Sequence, residues 1–108
     1  MTEEQINEWI AALEDPKTKK GVNVLENRNG EMCCLGVLAN LQGVPKNGEN
    51  MAGDKKFVFG ASNTCVAMPP MGWMGIHMRV TLIDLNDSND TFQPVIEYLK
   101  ANKHDFID

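Results

Sequence analysis

The sequence predicts an α+β fold in which about three helices pack on a small antiparallel sheet. Three observations predict it: apolar residues recur at helical spacing in capped segments, an Asn-Gly pair separates two short strand-like runs, and 108 residues suffice for one core only. The chain is therefore read as a single domain spanning residues 1–108.

The opening Thr2-Glu3-Glu4-Gln5 is a capping box, with Thr2 accepting from an orphan amide and Gln5 reaching back. Ile6, Trp9, Ile10 and Leu13 follow at i, i+3, i+4 and i+7, so the first helix buries one face. Pro16 disfavours helical geometry in Asp15 and ends it. Gly21 to Glu26 alternates well enough for a strand, Asn29-Gly30 is a tight turn, and Glu31-Met32-Cys33 returns, which makes a hairpin near 21–34. Leu35, Leu38 and Leu41, with Val37, define a second helix that Gly43 and Pro45 terminate.

The stretch from Pro45 to about Asp54 is rich in Gly, Asn and Lys and reads as a mobile surface loop. Phe57-Val58-Phe59 and Thr64 to Ala67 form a second candidate strand pair. Gly72 and Gly75 limit any helix near Met71 to Met78 to a turn or two, and the period through Val80, Leu82, Ile83 and Leu85 is ambiguous. The last helix carries Phe92, Val95, Ile96 and Leu99 on one face, with Thr91 or Asp90 as cap, Pro94 in the first turn and an end near Asn102.

Ten Lys plus Arg against fifteen Asp plus Glu give a net charge of −5, and only Arg28 and Arg79 are arginines. That argues against direct nucleic-acid binding, which needs a dense positive face. No apolar run is long enough to span a membrane, and the acidic opening lacks the pattern of a secretory signal, so a cytoplasmic location is expected. Three cysteines, two of them adjacent, fit reduced thiols better than a disulfide framework.

Met68, Met71, Met74 and Met78 recur every three or four residues, with Trp73 and His77 between them. These six residues are the candidate binding surface, because thioethers adapt to varied apolar partners. The same residues suit gap-filling in a small core, and their sulfur atoms suit Cu(I) less well than either role. Cys33 and Cys34 stand where the hairpin runs into a helix, and a helix start favours a thiolate. Either is a candidate nucleophile, with His77 or His104 as its base. The oxygen-rich run Asp84 to Asp90 departs from a calcium loop, having Asn89 at the sixth place and Val95 at the twelfth. No metal and no cofactor is expected.

Trp9 to Leu13, the run Glu31-Met32-Cys33-Cys34-Leu35-Gly36-Val37-Leu38-Ala39-Asn40-Leu41, and Leu82-Ile83-Asp84-Leu85-Asn86-Asp87 with Phe92 and Ile96 to Leu99 together resemble a group of small uncharacterised proteins. That group is encoded by tailed bacteriophages, prophages and marine viral metagenomes, and Cys-Cys-Leu-Gly-Val-Leu is its most specific motif. Met68-Pro69 and Trp73 to Ile76 resemble a further piece of it. Met32, Ala39 and Asn40 depart from the pattern, standing where the group has an aromatic residue, a cysteine and an acid. The resemblance implies a phage source, an infected host cytoplasm and an accessory role, but no activity. The leading expectation is a non-enzymatic binding module that takes a host or defence protein, or a small signalling molecule. The alternatives are a small thiol-dependent enzyme using Cys33 or Cys34, and a homo-oligomeric structural or assembly protein.

Overall fold

A computed structural model describes residues 2–49, 51, 53–57 and 76–107. The described elements are α1 (Glu3–Glu14), α2 (Cys34–Leu41), β1 (Lys46–Glu49), β2 (Lys55–Phe57), α3 (Ile76–Asp87), α4 (Gln93–Ala101) and α5 (Lys103–Phe106). The described fold is mainly helical, with five helices and a minimal ribbon of β1 against antiparallel β2. The expected arrangement of three helices on an antiparallel sheet is thereby corrected.

The reason lies in residues 21–34. Asn27 does close the expected turn, since its Oδ1 accepts from the backbone of Asn29 and Glu31 while its carbonyl accepts from Gly30. Before that turn, however, Asn23 adopts a positive φ of 65°, which no continuous strand allows. After it, Cys34 already begins α2. Only the isolated bridge between Glu26 and Met32 remains of the hairpin.

α1 forms as its capping box directs, with both reciprocal Thr2 and Gln5 bonds in place, and buries Ile6, Trp9, Ile10 and Leu13. α2 is buried nearly all round, from Cys34 to Ala39, which makes it the central helix. It stops in a Schellman motif: Gly43 at φ 72° donates to the Asn40 carbonyl, and Val44 donates to that of Ala39. Leu41, expected on the apolar face, is exposed.

α3 takes in the apolar stretch from Val80 to Leu85 whose period was ambiguous, and that stretch is helical. The turn or two expected near Met71 to Met78 meets the described residues only from Ile76 onward. α4 follows with Pro94 in its first turn and ends at Asn102, as expected. Phe92 is its N-cap, with a carbonyl that accepts from the Ile96 amide at 2.9 Å, while the Thr91 hydroxyl accepts from the Gln93 amide at 3.3 Å. The short α5 then brings Phe106 edge-on to both Trp9 and Tyr98, each ring pair 6.3 Å apart.

α1 packs on α2, α2 on α3, α3 on α4 and α4 back on α1, so the four longer helices form a closed circuit. Its interior holds Trp9, Leu25, Leu35, Leu38, Leu82, Val95 and Leu99, none of them more than 1% exposed.

The ribbon lies where a mobile loop was expected. Every residue of β1 is exposed, so apolar burial does not hold it. Lys46 pairs with the carboxylate of Glu26, Lys55 pairs with Glu49 at 2.5 Å, and the Lys55 amide donates to the Glu26 carbonyl. The hydrogen bond and charge of Glu49 raise the Lys55 ammonium above its usual range. The expected strand at 57–59 meets the described residues only at Phe57, and its expected partner at 64–67 lies outside them.

Candidate functional site

Three motif pieces that are distant in sequence converge on the first turn of α2. Cys34 opens that helix, and its N–H has no partner within it. Cys33, the N-cap, makes no capping bond through its side chain. The cap comes instead from Asn86 on α3, whose Oδ1 accepts from the Cys34 amide at 3.0 Å across 52 residues of sequence. The Asn86 Nδ2 donates to the Gly21 carbonyl at 3.0 Å and to Asp87 Oδ1 at 2.9 Å. Those partners fix which way round the carboxamide lies, because only its NH2 can donate.

Asp87 extends the network by accepting from the Asn23 amide at 3.1 Å. On the other side, the Trp9 indole donates to the Cys34 carbonyl at 3.0 Å. Both backbone groups of Cys34 are therefore bonded to side chains of other helices. Asn86 is fully buried, and its hydrogen-bonding atoms have protein partners, as a buried carboxamide requires.

Gly36 sets how close α2 comes to the chain beneath it. A Cβ there would lie 1.9 Å from the Leu25 carbonyl oxygen and 2.7 Å from its carbon. Cys34, Gly36, Asn86 and Asp87, the distinctive residues of the motif pieces, thus hold helices together.

The candidate nucleophiles fare accordingly. Cys33 is disulfide-bonded, which corrects the expectation of reduced thiols throughout. Cys34 is free but fully buried, its Sγ 3.7 Å from the Leu82 carbonyl. Burial above all, with the charge of Asp87 adding to it, pushes the thiol from an ordinary 9.0 up to about 12. That is the reverse of what a helix-start nucleophile needs.

His77 is exposed on α3, five residues before Leu82. At 100° per residue it lies about 140° around the helix from the position that meets Cys34. His104 is exposed on α5 and lies 3.2 Å from Asp105. Neither histidine is brought to Cys34.

Native iodoacetamide should therefore leave Cys34 unmodified while the unfolded, reduced protein reacts, as peptide mass mapping would show. The raised value also fixes an alkaline limb of stability. The native thiol keeps a proton that the unfolded thiol loses, so the contribution is complete below about pH 9 and declines toward pH 12. Urea titrations over that window should fall by about 1.4 kcal/mol per pH unit. A flat profile there would contradict the burial of Cys34.

Among the expected binding residues, Met68, Met71, Trp73 and Met74 lie outside the described residues. His77 and Met78 are described, and the structure separates them. Met78 packs against the core. His77 faces out, with Val80 and Asp84 exposed on the same stripe of α3.

The oxygen-rich run is spent locally: Asn86 and Asp87 serve the buried network, and Asn89 Nδ2 donates to the Leu85 carbonyl at 2.8 Å. Among the described residues no three His, Cys, Asp or Glu side chains are placed to hold a metal ion. Among those residues, likewise, no helix is long and apolar enough to cross a membrane.

Two features escaped the sequence. One is the burial of Asn86, whose signal was a polar residue four positions after Leu82, on the face of α3 that meets the core. The other is an open cleft of about 400 Å³ between the end of α1 and the start of α4, lined by Leu13, Glu14, Thr91, Phe92, Gln93 and Ile96. No family model, no curated protein and no solved structure matches the sequence.

Proposed function

We propose that the protein is a non-enzymatic binding module of the small phage-accessory type, acting on a host or defence protein or on a small signalling molecule. The observation that supports this reading is how the Cys-Cys-Leu-Gly and Leu-Asn-Asp residues are used. Their polar groups bond one another inside the fold, and the Cys34 thiol is buried and hard to ionise. Residues so engaged have nothing left with which to attack a substrate.

Binding then belongs to the surface. His77 and Val80, exposed one turn apart, continue the segment that carries Met68, Met71, Trp73 and Met74. An exposed valine, a histidine and a run of adaptable thioethers suit a contact with an apolar centre and a polar rim.

The test is native mass spectrometry of the purified protein before and after incubation with lysate of an infected, defence-competent host. A retained molecule or subunit is expected, and the paired change His77→Ser with Val80→Ser should release it. Because both side chains are exposed, the urea midpoint of that variant should move by no more than about 0.5 kcal/mol of stability per site. Retention as strong in the variant as in the wild type would remove this surface from the proposal. A bare protein after incubation would contradict the binding reading itself.

A further inference from the structure

The sequence contains the dipeptide Asn-Gly twice, at Asn29-Gly30 and at Asn47-Gly48. In each pair the asparagine is exposed and the glycine has a positive φ, 79° at Gly30 and 74° at Gly48. Neither glycine has an atom within 4 Å of where a Cβ would lie. Among the described residues neither asparagine carboxamide makes a hydrogen bond. By local sequence the two are equivalent, and by structure they are not.

Asn29 sits in a turn tied three times to Asn27. The Asn27 Oδ1 accepts from the Asn29 amide at 2.9 Å and from the Glu31 amide at 3.0 Å, while its carbonyl accepts from the Gly30 amide at 3.0 Å. The Gly30 nitrogen is thus already engaged. Asn47 and Gly48 lie in a bulge: the register pairs Lys46 with Phe57 and Glu49 with Lys55, so two residues of β1 stand against the single Lys56 and the regular ladder is interrupted there.

We propose that Asn47 is a site of spontaneous deamidation, and that Asn29 is the same dipeptide held in check by Asn27. The Gly48 backbone nitrogen, once it gives its proton to solvent, attacks the carboxamide carbon (Cγ) of Asn47. The new bond between that nitrogen and Cγ closes a succinimide, and the bond from Cγ to Nδ2 breaks as ammonia leaves. Water then opens the ring at either carbonyl to give aspartate or isoaspartate, so one amide and one water become one carboxylate and one ammonia with no redox change. Glycine is what admits the ring closure, having no Cβ to obstruct it. The isoaspartyl product adds a methylene to the backbone of β1 and a carboxylate beside Lys46, so it loosens the ribbon.

The test is incubation of the full-length protein in mildly alkaline heavy-oxygen water, with peptide mapping of acid formed at positions 47 and 29. Asn47 should convert roughly fivefold or more faster than Asn29, the factor carried by about one net hydrogen bond. In the urea-unfolded protein the two rates should converge, and Asn27→Ala should raise the Asn29 rate in the native protein. Gly48→Ala should suppress conversion at Asn47 and leave Asn29 alone. Equal native rates, a faster Asn29, or a difference that persists on unfolding would each overturn the proposal.

Discussion

Gly36→Ala should cost this protein about 4 kcal/mol or more, a large share of the roughly 5–15 kcal/mol of a typical small domain. In an ordinary helix interior the same change gains up to about 1 kcal/mol, so the sign itself is diagnostic. The new methyl would lie 1.9 Å from the Leu25 carbonyl oxygen, with helix backbone on one side and the main chain of Leu25 on the other. No rotamer can relieve that contact. α2 would have to move away, pulling Cys34 from both Trp9 and Asn86 and reopening a packed core. Gly43→Ala is the control, since its φ of 72° is strained for alanine but the space around it is open. It should cost only about 1–2 kcal/mol. Urea midpoints of the two variants measure both values, and a Gly36→Ala variant as stable as the wild type would refute the close approach.

Replacing Asn86 should have the second largest effect. Asn86→Leu keeps the branching and number of heavy atoms and adds apolar surface, so simple burial favours it. It also leaves the Cys34 N–H and the Gly21 carbonyl buried without partners. At about 1–3 kcal/mol for each of the two stranded groups, the expected loss is about 2–6 kcal/mol. Asn86→Asp separates hydrogen bonding from shape. Its carboxylate can still accept from Cys34, but it meets Asp87 Oδ1, where Nδ2 now donates at 2.9 Å, and the Gly21 carbonyl. Like charge and burial raise the pKa of the new carboxyl, so this variant should be unstable at neutral pH and recover as pH falls and the group gains a proton to donate. A leucine variant within about 1 kcal/mol of the wild type, or an aspartate variant indifferent to pH, would mean that the network carries little.

The elements legible in the sequence were those with local signals. α1 has its capping box and an unbroken apolar face, α2 ends at the glycine and proline that mark its stop, and α4 carries Pro94 where a first turn tolerates it. α3 was illegible because its inner face is not uniformly apolar: Asn86 occupies a buried position, while Val80 is 52% exposed. The hairpin misled for the opposite reason, since alternation and a real turn were present but Asn23 turned left-handed before the turn. β1 carries no apolar pattern at all, because ion pairs and backbone bonds to residues outside it hold it. Of the candidate site, the sequence made Cys34 and Asn86 conspicuous without indicating that they bond each other. A distinctive motif is read as chemistry when its long-range partner is unseen, and 52 residues separate this pair.

The central claim is that the motif residues form an internal clamp on the first turn of α2. Native-state hydrogen exchange at the Cys34 amide tests it most directly. First-turn amides of a helix have no helical acceptor and ordinarily exchange fast. With Asn86 as its acceptor, the Cys34 amide should exchange only through global unfolding, matching the slowest core amides, and should lose that protection in Asn86→Leu. Rapid exchange in the wild-type protein, at the rate of an open helix terminus, would contradict the account.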